Sequence, residues 1–135
     1  MKELKIPALV ENIEKVTEFL NEYLESLNCP LKIQMKIAIV IDEIFSNISY
    51  YAYGEEKGEA TIRIEKMENP NGVQITFFDQ GMPYNPLKAD EPDTSLPADE
   101  RQIGGMGILM VKNIMDEISY EYADGQNVLK MFKII

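Results

Sequence analysis

The sequence predicts a two-layer α+β sandwich, a mixed and mainly antiparallel sheet with helices on one face. Two observations lead there. Apolar residues alternate with period two in five short segments, and they recur at helical spacing in three longer ones. Most of the strand-like segments also fall in pairs around turn-forming residues, which favours hairpins over parallel crossovers. The 135 residues, 45% of them hydrophobic, suffice for one domain spanning 1–135 with a core that needs no disulfide.

Residues 2–6 alternate as a short strand, and Glu11 to Leu27 then place Ile13, Val16, Phe19, Leu20, Tyr23, Leu24 and Leu27 on one helical face. Pro30 suits the first turn of a second helix, which runs through QMKIAIVIDEIFSNISYYAY until Gly54 stops it. Ala60, Ile62 and Ile64 alternate, as do Val73, Ile75 and Phe77, and the Asn69–Gly72 stretch between them reads as a hairpin turn. Residues 82–103 hold Pro83, Pro86, Pro92 and Pro97 among acidic and small residues, a loop longer than a compact domain usually keeps without a job for it, and we read it as a mobile lid. Ile108, Val111, Ile114, Met115 and Ile118 predict a third helix. Tyr120–Tyr122 and Val128–Ile134 close the chain as a hairpin about Asp124-Gly125. No internal repeat is present.

Composition excludes several classes of function. The net charge is −10, from 13 basic and 23 acidic residues, and the basic ones are scattered, which argues against direct nucleic-acid binding. No histidine is present, so the chain can supply neither a Ser-His-Asp triad nor a histidine metal ligand nor a phosphohistidine. Cys29 is the single cysteine, which removes internal disulfides and paired-cysteine metal sites and fits a reducing, cytoplasmic setting. The longest aliphatic run, Ile37–Ile41, is far short of the roughly 20 residues of a membrane span, and the N-terminus lacks a signal-like apolar region. A soluble, unprocessed protein with no membrane partner is expected.

Three segments are left to carry chemistry. On the second helix Glu43 and Asn47 are four residues apart and share a face, at the rim of an apolar stripe running from Val40 to Phe45. They form either a solvated flank or a polar site. Phe77-Phe78-Asp79-Gln80-Gly81-Met82-Pro83 ends a strand in a carboxylate, then a glycine, then a proline. This is either an ordinary turn or a carboxylate able to accept from an exocyclic amine beside a glycine that admits a flat ring. Ile103-Gly104-Gly105-Met106-Gly107-Ile108 puts three glycines directly before an apolar-periodic helix. That is either a hinge or a place where backbone N–H groups converge on an anion at the positive end of the helix dipole. It is not a P-loop, because no Gly-Lys-Ser/Thr follows.

In order and spacing the chain resembles the GHKL superfamily of ATPases and kinases: EIFSN matches its N box, DQGMP its first glycine box and GGMG its second. The stretches NISYYAYG and ERQIGGMGILMVKNIMDEISYEYADGQNVLKMF are similar to the stand-alone anti-sigma-factor serine kinases, and the resemblance covers nearly the whole chain. It implies a Bergerat-type ATP-binding fold with an ATP lid at about 82–105. It implies ATP and Mg²⁺ as cofactors, with Asn47 as the metal ligand, a role its hard carboxamide oxygen suits. Glu43 is implied as the general base, Asp79 as the acceptor of the adenine amine, and Gly81 as the residue making room for the ring. Gly104, Gly105, Met106 and Gly107 are implied to wrap the phosphates. From its place in the lid just before the glycines, Arg101 is expected to reach the terminal phosphate.

The function so implied is a serine/threonine protein kinase that phosphorylates an anti-anti-sigma (STAS-type) partner and can sequester a sigma factor, with a homodimer plausible by the same resemblance. A nucleotide-dependent protein-binding module with negligible turnover is the alternative, and an ATP hydrolase without a protein substrate a third reading. The absence of histidine argues against the histidine-kinase branch.

Overall fold

The computed structural model describes residues 1–53, 57–88 and 105–135. Its elements in chain order are β1 (Lys2–Pro7), α1 (Ile13–Ser26), α2 (Leu31–Asn47), β2 (Glu59–Met67), β3 (Gly72–Asp79), α3 (Gly105–Ile114), β4 (Glu117–Ala123) and β5 (Gln126–Ile134). The strands form one sheet in the order β1-β2-β3-β5-β4, and every pairing in it is antiparallel. The α+β sandwich expected from the alternation is therefore present, with no parallel pair among the described strands. No described helix is long and apolar enough to cross a membrane.

Alternation decides which face of the sheet is covered. Ala60, Ile62 and Ile64 of β2, Val73, Ile75 and Phe77 of β3, and Leu129 and Met131 of β5 are buried together with Val16, Leu20 and Leu24 of α1 and Ile37, Val40, Ile41, Ile44 and Phe45 of α2. Each such aliphatic or aromatic side chain contributes about 1.5–3 kcal/mol by leaving water. On the opposite face the Arg63 guanidinium lies 4.7 Å from the Phe78 ring centroid while its Nε donates to Glu3 Oε2 at 2.9 Å. That face is polar where the other is apolar.

Local chemistry explains the breaks. Asn28 sits at φ 58 after α1, its N–H donates to the Glu25 carbonyl at 3.0 Å and the Cys29 N–H to the Leu24 carbonyl at 3.0 Å, a Schellman close with Asn in place of Gly. Pro30 is the cap before α2 rather than a residue of its first turn, and Gln34 Nε2 satisfies the Cys29 carbonyl at 3.0 Å. The β4–β5 turn is a two-residue hairpin in which Asp124 and Gly125 both have positive φ, 53° and 75°, as a type I′ turn requires.

Two boundaries differ from the sequence reading. The second helix does not run unchanged to Tyr53: α2 ends at Asn47 and a π-helical turn follows over Ile48–Ala52. Ser49 Oγ donates to the Phe45 carbonyl at 2.9 Å, competing for the acceptor that the α-ladder would use there. The third helix lies over Gly105–Ile114, so Ile118 belongs to β4 and extends the apolar pattern with a strand rather than another turn of helix. The expected stop at Gly54 and most of the lid fall outside the described residues.

Candidate functional site

The site is built on the C-terminal half of α2, which offers two polar groups to one side. Glu43 and Asn47 are half-buried on successive turns, and Asn47 Nδ2 donates to Glu43 Oε1 at 3.2 Å. This bond fixes the sense of the amide. Nδ2 faces Glu43, which leaves Asn47 Oδ1 as a hard oxygen donor with no partner among the described residues, the atom a Mg²⁺ would need. Burial first, and then the neighbouring Asp42 charge, raise the Glu43 carboxyl above its usual 4.5, with the Asn47 bond pulling the other way.

The first turn of α3 meets α2 at this pair. A Cβ on Gly107 would land on the Glu43 carboxylate, so glycine is there because the helix start approaches the acid. The N–H groups of that turn have no intrahelical acceptor and carry the positive end of the helix dipole. Gly105 opens α3, as the glycine run predicts; Arg101 and Gly104 lie outside the described residues, as does the Met106 side chain.

A second group of residues forms where β3 ends. Asp79, 7% exposed, closes the strand, and its Oδ1 accepts from the Gly81 N–H at 3.0 Å and from Asn127 Nδ2 at 2.9 Å. Burial raises its carboxyl above the usual 3.8, and the two donors oppose that rise. Ala60 lies opposite Asp79 on β2. Gly81 passes so close to the end of the π turn that a Cβ would strike the Ala52 carbonyl, and that carbonyl accepts from the Met82 N–H at 2.8 Å. The glycine therefore answers to a neighbouring backbone, a reason the sequence reading of ring access does not include.

Tyr53 completes the attachment. Its hydroxyl accepts from the Gln80 N–H at 2.8 Å and donates to the Glu59 carbonyl at 2.6 Å, so one side chain bridges the Asp79 turn and the start of β2. Of the three tyrosines at 50, 51 and 53, the first two are exposed, and Tyr53 is the one that holds the Asp79 turn. Tyr53→Phe is expected to cost about 1 kcal/mol of stability, because the Gln80 N–H loses its partner. It should also weaken nucleotide binding. Thermal melts and an ATP titration on the variant check both, and an unchanged Tm would remove the bracing role.

Asn127 is the residue that sequence reasoning misses. It lies on β5 directly opposite Asp79, on the buried face, and its only sequence signal is an asparagine inside a strand, where its propensity is poor. The two groups of residues are joined through α2, since Asn47 and Ala52 are separated by one π turn, about 7 Å along the axis. Carboxylate, carboxamide and helix start thus stand at one end of the π turn, and a buried acceptor held by neutral donors lies against the other.

Three comparisons with known proteins bear on this arrangement. The model of the histidine kinase-like ATPase domain matches residues 6–133. A protein named serine-protein kinase RsbW from Bacillus mycoides is 28% identical over 134 residues, covering 94% of this chain and 81% of that protein. The serine/threonine-protein kinase BtrW of Bordetella bronchiseptica is 26% identical over 100 residues, covering 74% of this chain and 70% of its own. Among solved structures, the RsbU and RsbW domains of Rv1364c from Mycobacterium tuberculosis align with a TM-score of 0.63 at 13% identity. That alignment covers 98% of this chain and 32% of the other, and it speaks to the fold alone.

Proposed function

The chain belongs to the histidine kinase-like ATPase domain family, and on that footing we propose that it binds Mg-ATP and transfers the γ-phosphoryl group to a serine or threonine of a partner protein. The observation that carries the reading is the meeting of Glu43, Asn47 and the Gly107 helix start, an acid with a raised pKa beside a free carboxamide oxygen and an anion-attracting helix end. The names of the relatives, serine-protein kinase and serine/threonine-protein kinase, support the reaction class.

Each residue then has a task. Asp79 Oδ2 accepts from the exocyclic amine of adenine, with Gly81 at the edge of the ring. Asn47 Oδ1 holds the metal, and the backbone of 104–107 receives phosphate oxygens, Met106 included. Arg101, in the lid, meets the terminal phosphate. Bound there, Mg-ATP would supply the phosphoryl group and neutralise its developing charge. Glu43 takes the proton from the attacking hydroxyl, so that the oxygen can form its bond to phosphorus as the bond to the leaving nucleoside diphosphate breaks. The Asn47 bond keeps the carboxylate pointed at that place.

The protein substrate is proposed to be an anti-anti-sigma (STAS-type) domain, with a sigma factor as a second partner and a homodimer as the working assembly, in the cytoplasm. To test this, the purified chain is incubated with Mg-ATP and such a domain from the same organism, and phosphoserine or phosphothreonine is sought on that domain by intact mass. Transfer by the parent chain establishes the kinase. Tight ATP binding without transfer to any such domain would replace it by a nucleotide-dependent binding module.

A further inference from the structure

Asn127 has the complete hydrogen-bonding inventory of a side-chain amide engaged within the protein. Its Oδ1 accepts from the Tyr84 N–H at 3.0 Å and from the Tyr120 hydroxyl, and its Nδ2 donates to the Met82 carbonyl at 2.8 Å and to Asp79 Oδ1 at 2.9 Å. A carboxamide has two acceptor sites and two donors, so nothing is left over. Nor can it flip. Turned by half a revolution, the NH₂ group would face the Tyr84 N–H, and the oxygen would face both the Met82 carbonyl and the Asp79 carboxylate. The residue is 6% exposed, which places these mismatches out of reach of water.

The order imposed on Asn127 passes to Asp79. Asp79 Oδ1 receives two donors, from Asn127 and from the Gly81 N–H, while Oδ2 has no partner among the described residues. We infer that Asn127 is a positioning residue which fixes the orientation of the Asp79 carboxylate, so that the site presents Oδ2 as a single outward acceptor and selects a purine bearing an amino group at position 6. The inference rests on the ATP-binding reading and adds to it the reason for base selectivity. Asp79 alone could rotate about its side-chain torsions; clamped from β5, it cannot.

The test uses ratios of affinity, which a general loss of structure does not move. ATP and purine riboside triphosphate differ only by the amino group, so the ratio of their dissociation constants reports the Asp79 contact. For the parent chain the ratio is expected to be about tenfold or more, and for Asp79→Ala about one. For Asn127→Ala it is expected to fall to within about threefold, with phosphate-dependent binding of both nucleotides retained. A ratio unchanged in Asn127→Ala would overturn the inference and leave the ATP reading standing, whereas a parent ratio near one would overturn both. Should Asn127→Ala fail to fold by circular dichroism, the isosteric Asp79→Asn carries the same question. Asn127 Nδ2 and the Gly81 N–H hold an oxygen inward, so the substituted carboxamide would turn its NH₂ outward, and inosine triphosphate should displace ATP as the preferred ligand. Retained preference for ATP in that variant overturns the inference.

Discussion

Glu43→Gln is expected to lower phosphoryl transfer by about 10²–10⁴-fold while nucleotide affinity stays close to that of the parent chain. The substitution keeps the shape of the side chain and its ability to accept from Asn47 Nδ2, and it removes only the basic oxygen. Rate measurements on both proteins across pH sharpen the result. Because burial raises the Glu43 pKa above 4.5, the parent rate should fall as pH drops through that raised value, and the residual rate of the variant should not follow it. The sign for stability is opposite. A carboxyl whose folded pKa is raised favours folding below its unfolded value, and that contribution is lost as pH rises through the folded value. The glutamine variant should therefore melt at or above the parent at neutral pH, and a variant that loses both activity and Tm would mean that Glu43 is a structural residue. Unchanged transfer would remove Glu43 from the reaction.

Gly81→Ala and Gly107→Ala add the same methyl group and should fail in different ways. At Gly81 the new Cβ meets the Ala52 carbonyl and its Cβ, and backbone cannot swing aside. The Asp79 turn must move off the π turn, straining the Met82–Ala52 hydrogen bond, at about 1–3 kcal/mol. For a chain of this size that is a fall in Tm of roughly 3–15 °C. Nucleotide affinity should fall with it. At Gly107 the obstacle is the carboxylate end of Glu43, which is flexible, so the stability loss should stay within about 0.5 kcal/mol. The displaced acid, however, no longer points where Asn47 held it, and transfer should drop nearly as far as in Glu43→Gln. Melting curves and turnover on the two variants separate the outcomes; a Gly107→Ala variant with parental turnover would show that the contact is incidental.

The parts of the site legible in the sequence are those whose chemistry is local. Glu43 and Asn47 are one helical repeat apart, Asp79 and Gly81 share a turn, and Gly105 and Gly107 open a helix, so spacing alone groups each pair. The core was equally readable, because the alternation of Ala60, Ile62, Ile64 and of Val73, Ile75, Phe77 is the pattern of a sheet covered on one face. What could not be read is what the fold brings from afar. Asn127 reaches Asp79 only through the β3–β5 pairing, across 48 residues of sequence, and no local pattern marks it. Tyr53 was hidden for a related reason: three tyrosines in four positions look alike until the Gln80 N–H and the Glu59 carbonyl single one out. The π turn was invisible because Ile48–Ala52 continues the apolar helical periodicity, and only the Ser49 hydroxyl hints at the altered ladder.

That turn also bears on how the chain tolerates changes of length. A π turn holds one residue more than an α turn, and the surplus sets the angle at which Ala52 and Tyr53 leave the helix. Inserting one residue into 48–52 would rotate everything beyond it by about 100°, because the turn already holds its one surplus residue and has no further slack to absorb another. The Ala52 carbonyl would then leave Met82, and the Tyr53 hydroxyl would leave Gln80, while no side chain of the core had been altered. In a library of variants this stretch should accept conservative substitutions and reject single insertions, while a single deletion, which turns the wide turn into an α turn, should be the milder change of length. The spacing between Asn47 and the Asp79 turn is thus set by a ruler of five residues, which fixes length as firmly as the core fixes shape.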